Sequence, residues 1–179
     1  MLWLNSVRRC HRSARPISSS CAMLSIRQQA ALAASGCEVR FDLLTRQIYA
    51  TDASIYQIEP LGVAFPQDAA QAAGVIRAAA DTGVPVIPRG AGSGLVDGAI
   101  GEGLVVDFSR HNRQISQPNL DRRTVRVGAG VVLDQLNAFL KPHGFCFGPD
   151  VATSSRATLG GMIASNSSGS HVPIHGTTA

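Results

Sequence analysis

The spacing of apolar and polar positions in the first part of the chain predicts a helix followed by a strand–helix–strand unit. Residues 23–35 contain no Pro or Gly and stop at Gly36, which is typical of a helix with a glycine end. Residues 62–66 form a short apolar run closed by proline, residues 68–82 have helical spacing, and residues 84–88 are apolar again. The predicted stripe of the second helix consists of Val75, Ile76 and Ala79. Two strands joined by a helix predict a sheet whose first strands are parallel.

The second part of the chain predicts further short elements, and from residue 145 onward its composition changes. Residues 104–108 form an apolar run, and residues 124–127 alternate apolar and polar side chains, as a half-exposed strand does. Residues 131–141 predict an amphipathic helix that ends at Pro142. From residue 145 onward Gly, Ser, Thr and Pro predominate, with single apolar residues among them.

Length and composition are those of a folded domain. The 179 residues are 45% hydrophobic and 16% charged, which excludes an intrinsically disordered chain and leaves room for one compact domain or two small ones. No apolar run reaches the roughly 18 residues that a membrane-spanning helix needs. We therefore expect no transmembrane segment.

The formal charge of +4 is concentrated at the N-terminus. Residues 1–37 contain five arginines and no acid, whereas the rest of the chain has eleven basic and twelve acidic side chains. A nearly neutral body argues against nucleic-acid binding, which needs clustered basic residues on a folded face.

Residues 1–22 are rich in Arg and Ser, as in an organellar transit peptide, although an unstructured tail ahead of a start at Met23 fits equally well. The expected domain boundaries are 1–22 for this leader and 23–179 for the folded part. The expected location is cytoplasmic or membrane-peripheral, or mitochondrial if the leader is a transit peptide.

Cysteine and histidine spacing predicts no metal site. The cysteines lie at 10, 21, 37 and 146, and these gaps do not match close-paired zinc or iron–sulfur ligands. His171 and His175 are four residues apart, but Pro173 lies between them. Free thiols and no bound metal are the interpretation we adopt.

A glycine-rich loop directly after a predicted strand is the first candidate binding feature. It consists of Pro88, Arg89, Gly90, Ala91, Gly92, Ser93 and Gly94, with Gly98 just beyond. Successive backbone N–H groups in such a loop can surround an anion such as a pyrophosphate, and Arg89 adds a positive charge. The loop lacks the Gly-Lys-Ser/Thr ending of a nucleoside-triphosphate loop and the long helix of a Rossmann motif. A glycine-rich turn without a ligand remains an equal alternative at this point.

A second group of small residues near the end of the chain favours a ligand. It contains Pro149 and Asp150, the run 158–162, and the run 165–169. Two glycine-rich segments some 70 residues apart are understandable if both lie against one extended ligand. Flexible loops are the alternative, but the apolar residues among them are unlike a linker.

Four blocks of sequence resemble the FAD-binding domain of the vanillyl-alcohol-oxidase/p-cresol-methylhydroxylase flavoprotein superfamily. They are ATDASIYQIEPLGVAFP, VPVIPRGAGSGLVDGAIGEGLVVDFSRHNR, VGAGVVLDQLNAFLKPHGFCFGPD and ATLGGMIASNSSG, in that order. Within the superfamily the chain is most similar to D-lactate, glycolate and related D-2-hydroxyacid dehydrogenases, especially long forms with a C-terminal iron–sulfur domain. The resemblance covers residues 23–178 and implies an α+β domain of two sub-sheets with helices, incomplete at its C-terminus.

The resemblance also implies which residues meet FAD. Arg89 to Gly94 would surround the pyrophosphate, with Gly98 completing the turn, and Pro149, Asp150 and Ser154 would approach the flavin or its ribityl chain. The residues implied from the second sub-sheet are Gly160, Gly161, Ser165, Asn166 and Gly169. Gly176 ends an Ile-His-Gly run where the family commonly has Arg-Tyr-Gly. Ser93 stands where covalent members have histidine, so we predict non-covalent FAD.

The implied function is the FAD-binding portion of a flavin-dependent oxidoreductase that oxidises a D-2-hydroxy acid such as D-lactate. Electrons would pass to an iron–sulfur domain, a quinone or a cytochrome. No catalytic residue is predicted in this chain, and Tyr49, Tyr56 and Asp107 are interpreted as packing and turn residues. A truncated, non-catalytic flavin-binding module and an oxidase acting on another alcohol are the alternatives.

Overall fold

A computed structural model describes residues 23–178 of the chain, so the predicted leader lies outside the described residues. The helices are α1 (Ile26–Ala33), α2 (Leu43–Ile48), α3 (Ala69–Asp81), α4 (Leu133–Leu140), α5 (Leu159–Ala164) and α6 (Val172–His175), with a 3₁₀ turn at Lys141–His143. The strands are β1 (Glu38–Arg40), β2 (Gly62–Phe65), β3 (Val86–Arg89) and β4 (Leu104–Asp107). The predicted α+β class is confirmed.

The four strands form one mixed sheet in the order β1-β2-β4-β3. β4 lies between β2 and β3 and is parallel to both, with Val105 opposite Val63 on one side and Ile87 on the other. The predicted parallel arrangement of the strand–helix–strand unit is therefore correct, although β2 and β3 do not touch. β1 is antiparallel to β2 and was not predicted.

Helices α1 and α3 cover one face of this sheet. Asp68 caps α3 by accepting a hydrogen bond from the Gln71 amide at 2.8 Å, as its position predicts. The buried side of α3 is Ala72, Val75 and Ala79, and Ile76 is 40% exposed, so its assignment to the stripe was wrong. The reason is angular, because residue 76 lies about 100° around the helix from residue 75.

Residues 112–130 turn back on themselves beside α4. The predicted strand at 124–127 makes only isolated antiparallel bridges, Asn119 with Thr124 and Ile115 with Val127. Between these two bridges the pairing shifts by one residue, because the Ser116 amide rather than that of residue 117 donates to the Arg126 carbonyl, so no continuous ladder forms. The alternation is nevertheless real, since Val125 and Val127 pack on the core of α4.

Helix α4 and the segment leading to α5 form a second core. Leu136 and Leu140 of α4 pack there with Val131 and Leu159. The 3₁₀ turn after α4 ends at Gly144, whose φ of 76° is easily adopted only by glycine. This core fixes the start of α5 against the rest of the domain.

Candidate functional site

A cleft of about 700 Å³ lies between the loop that follows β3 and the segments on both sides of α5. The parallel strands β3 and β4 end at the same edge of the sheet, so the loop leaves the sheet at this edge. The predicted site residues that line the cleft are Pro88, Arg89, Gly90, Ala91, Gly92, Ser93, Gly94, Gly98, Gly160, Gly161 and Ser165. The structure therefore brings the two glycine-rich segments together, as the sequence predicts.

Gly90 and Thr158 form the contact that joins the two walls. Thr158 is the N-cap of α5, and its side chain accepts a hydrogen bond from the Gly161 amide at 3.4 Å. A Cβ built on Gly90 would overlap Thr158 Oγ1. Glycine at position 90 is required by this close approach.

The backbone N–H groups of the loop after β3 point to an anion site. Within residues 23–178, the amides of Gly90, Ala91, Gly92, Ser93 and Gly94 donate to no protein acceptor. Gly92 has a φ of 64°, which reverses the backbone direction inside the run, while its carbonyl accepts from the Ala53 amide at 2.9 Å. Consecutive free amides with one left-handed residue among them form a concave donor surface suited to a phosphate.

The guanidinium of Arg89 holds the base of this loop. It donates to the carbonyl oxygens of Tyr49 at 3.4 Å, Thr51 at 2.8 Å and Ala99 at 3.1 Å. It also lies over the Tyr49 ring, 5.1 Å from the centroid. Three of its five N–H donors are therefore used on the protein, while its positive charge remains at the cleft. The sequence predicted the charge but not these bonds.

Tyr49 itself is a packing residue with a bonded hydroxyl, as predicted. The hydroxyl donates to Asp107 Oδ2 at 2.5 Å, and Asp107 Oδ1 accepts from the Ser109 amide and hydroxyl. Burial, and then the hydrogen bond and negative charge of Asp107, raise the pKa of Tyr49 well above its ordinary value. A phenol held neutral in this way supports the loop and is a poor proton donor.

The remaining predicted residues do not line the cleft. Asn166 has a φ of 44° and terminates α5: its amide donates to Ile163 O and the Ser167 amide donates to Met162 O. These two bonds are the Schellman pattern, in which asparagine tolerates the left-handed conformation. Ser154 offers its carbonyl to Asp134, and Gly176 has a left-handed φ of 72° after α6. Pro149 is buried.

Asp150 and Gly169 lie together just outside the cleft. Asp150 Oδ2 receives His171 Nδ1 at 2.5 Å and the Ser170 hydroxyl at 3.1 Å, and Asp150 Oδ1 receives the His171 amide at 3.2 Å. A Cβ on Gly169 would overlap the Asp150 carbonyl oxygen. The hydrogen bond from the His171 ring, followed by that from its amide, lowers the pKa of Asp150 to about 2.

We expect the carboxyl group of Asp150 to titrate near pH 2 in a ¹³C NMR pH titration of the folded protein, against an ordinary value of 3.8. Because the folded-state pKa is the lower one, the contribution of this carboxylate to stability is present at neutral pH and is lost as the pH falls towards 2. His171→Ala should move the midpoint back towards 3.8. A midpoint near 3.8 in the unmodified protein would show that the His171 contact does not form.

The cleft is positively charged and offers no covalent attachment point. Of the described residues that line it, Arg89 alone is charged, and none is a histidine or cysteine. Ser93 lies in the wall, as expected for a non-covalent member. An anionic ligand would therefore meet no negative side chain, and a flavin would find neither of the usual covalent partners.

Sequence reasoning missed Phe108 and Ala129 in the wall, and it included Thr158 only as part of the run 158–162, without its role as an N-cap. The Gly160 amide donates to the Ala129 carbonyl at 2.8 Å, which brings the two backbones together. Thr158 precedes an apolar helical run and could have been recognised as an N-cap. Phe108 and Ala129 carry no local signal, because only the folded chain brings them to the cleft.

Comparison with known proteins decides the family. The FAD binding domain family matches residues 60–179, which include both glycine-rich segments. The chain belongs to this FAD-binding-domain family. The predicted family and the predicted cofactor, FAD, are confirmed. Residues 23–178 show no group of three or more His, Cys, Asp and Glu side chains placed for a metal ion. In the same residues no helix has the length and apolar character needed to cross a membrane.

Two curated relatives illustrate the similarity of this FAD-binding domain. A D-2-hydroxyglutarate dehydrogenase of Pantoea ananatis is 46% identical over 132 residues, which cover 72% of this chain and 13% of that enzyme. A glycolate oxidase subunit of Escherichia coli strain K12 is 31% identical over 127 residues, covering 70% of this chain and 25% of the subunit. The chain thus spans only a small part of the length of each relative.

The fold is shared with more distant proteins of known structure. An alkyldihydroxyacetonephosphate synthase superimposes with a TM-score of 0.74 at 23% identity, over 86% of this chain and 32% of the other. At this identity the likeness concerns the fold alone.

Proposed function

We propose that the cleft holds FAD non-covalently, with the pyrophosphate against the loop from Arg89 to Gly94. The observation that carries this proposal is the run of five backbone amides without a protein acceptor, in a wall whose charged residue is an arginine. A dinucleotide carries its negative charge at its centre. Backbone donors that are already oriented bind that charge without a conformational rearrangement of the loop. Gly98 extends the same wall.

We propose that the opposite wall receives the flavin end of the cofactor through Gly160, Gly161 and Ser165. These residues have little or no side chain, so the backbone of α5 can approach a planar ring closely. Val151 and Met162 add apolar surface to the wall. Pro149, Asp150, Ser154, Asn166, Gly169 and Gly176 would act by shaping this wall, since they lie outside its lining.

We further propose that the whole protein oxidises a D-2-hydroxy acid. The support is the 46% identity to a D-2-hydroxyglutarate dehydrogenase, together with the glycolate oxidase subunit. When bound, FAD supplies the hydride acceptor for oxidation of the alcohol carbon. The residues described here bind the cofactor, orient it and exclude water from one side. An iron–sulfur domain, a quinone or a cytochrome is the proposed electron acceptor.

The proposal is tested by recording the visible spectrum of the purified protein after gel filtration. We expect flavin absorbance bands that persist through the column, and release of the flavin into solution when the protein is precipitated with acid. In the whole protein, addition of D-2-hydroxyglutarate or D-lactate without oxygen should bleach the flavin absorbance, because substrate oxidation reduces the flavin, and the L-enantiomers serve as the control.

The possible outcomes distinguish the proposed binding of FAD from the proposed substrate class. A colourless protein that takes up no added FAD would overturn the cofactor proposal. A whole protein that is yellow but that no D-2-hydroxy acid reduces would overturn the substrate class and favour a non-catalytic flavin-binding module. Reduction by another alcohol would favour an oxidase of different specificity.

A further inference from the structure

Two segments that line the cleft beside α5 belong to no strand of the sheet. One contains Val151 and Thr153, and the other contains Ser165, Ser167 and Ser168. Their mutual position must therefore be fixed by contacts outside the sheet. The structure contains such contacts immediately next to each segment, at Asp150 and at residues 169–171.

Asp150 directly precedes the first segment and binds the residues that directly follow the second. Its two carboxylate oxygens together accept hydrogen bonds from the Ser170 hydroxyl, the His171 amide and the His171 ring. Gly169 lies so close to the Asp150 carbonyl that no side chain fits between them. We call Asp150, Gly169, Ser170 and His171 the clasp.

A second set of hydrogen bonds holds the segment that contains Ser167 and Ser168. The backbone carbonyl of Ser167 accepts hydrogen bonds from the Thr178 amide at 2.9 Å and the Thr178 hydroxyl at 2.6 Å. The Ser167–Ser168 wall is thus held between Thr178 and the clasp. Loss of the clasp would leave it tied to the segment after α6 but not to Val151.

We propose that Asp150 is a positioning residue that sets the separation of these two walls, and thereby the affinity and orientation of the bound flavin. Asp150 does this through Gly169, Ser170 and His171 and does not itself touch the cofactor. The inference rests on the proposed binding of FAD. It changes the role that the sequence suggested for Asp150 and Gly169, from cofactor contact to support of the contact surface.

The test uses Asp150→Ala, Gly169→Ala and His171→Ala, with Asp121→Ala as the control at an exposed carboxylate in the 119–124 turn. We expect the first two to weaken FAD binding about tenfold, which a shift of the walls by a fraction of an ångström can cause. His171→Ala should have a smaller effect in the same direction. Asp121→Ala should bind FAD as the unmodified protein does.

The visible circular dichroism of the flavin at saturating FAD provides the decisive readout. A change in global stability alone leaves the spectrum of the saturated protein unchanged, whereas altered walls change the asymmetric surroundings of the ring. We expect an altered spectrum for Asp150→Ala and Gly169→Ala. Asp150→Asn should largely restore it, because the Ser170 hydroxyl and His171 ring can exchange donor and acceptor roles.

The double variant Asp150→Ala/His171→Ala distinguishes an Asp150 that acts through His171 from an Asp150 that touches FAD directly. If the two residues act as one unit, the double variant binds FAD no more weakly than Asp150→Ala. Loss of affinity in Asp150→Ala alone, with normal binding in Gly169→Ala and His171→Ala, would show direct contact and overturn the inference. Normal affinity and dichroism in Asp150→Ala would overturn it too, while leaving the proposed function intact.

Two further results are possible. If Gly169→Ala does not fold, the contrast between an altered spectrum in Asp150→Ala and a normal one in Asp150→Asn still decides the matter. If the unmodified protein binds no FAD, the proposed function and this inference fall together.

Discussion

Gly90→Ala is expected to reduce FAD affinity about 100-fold and to lower the stability of the apoprotein by about 2 kcal/mol. The added Cβ would overlap Thr158 Oγ1, so the glycine loop and the start of α5 must move apart. This separation removes the N-cap hydrogen bond or displaces the free amides, and either change damages the cleft. Urea unfolding and titration with FAD, followed by flavin fluorescence, measure the two effects.

Gly94→Ala is the matched control for this change. A Cβ at Gly94 meets no protein atom within 4 Å, and its φ is not left-handed. The stability of the apoprotein should therefore stay within about 0.5 kcal/mol of the unmodified value. FAD affinity should still fall about tenfold, because the new methyl group projects from a cleft wall. Equal FAD binding by Gly90→Ala and the unmodified protein would contradict the required contact with Thr158.

Arg89→Lys is expected to have the second largest effect, a loss of about 2 kcal/mol of stability together with weaker FAD binding. The guanidinium reaches three carbonyl oxygens on two sides of the loop and stacks on Tyr49. A lysine ammonium keeps the charge but cannot span these acceptors. Urea unfolding measures the stability, and fluorescence titration measures the affinity.

Arg110→Lys is the control for the change from arginine to lysine. Arg110 also lies over an aromatic ring, 4.7 Å from the Phe65 centroid, but its side chain is 42% exposed. We expect Arg110→Lys to lower the free energy of unfolding by no more than about 1 kcal/mol. If Arg89→Lys were as stable as the unmodified protein, the charge rather than the hydrogen bonds would be the contribution of Arg89.

Elements with a strong local signal were predicted well. Helix α3 and strand β2 were found within a residue or two, because α3 has a capping aspartate and β2 is an apolar run ended by proline. β1 has three residues and none of them is fully buried, so no periodic pattern marks it. The insertion of β4 between β2 and β3 depends on pairing distant segments, which local patterns do not encode.

The candidate site was likewise predicted only where the local sequence carries a signal. Glycine content predicted both walls of the cleft, because close backbone approach demands small residues wherever the ligand lies. The roles of individual residues in these walls could not be predicted from the sequence. Asn166 ends a helix, and Gly169 makes room for the Asp150 backbone, for reasons that appear only when the contacts are known. Arg89 was recognised by its charge, whereas its three carbonyl partners come from two other parts of the chain.

Hydrogen–deuterium exchange with and without FAD tests the central claim most directly, that free amides of the glycine loop bind the cofactor. Amides without a protein acceptor should exchange rapidly in the apoprotein. We predict strong protection of a peptide covering residues 89–98 when FAD is added, and no change in a peptide covering residues 116–126. Tight FAD binding without protection of residues 89–98 would contradict the account.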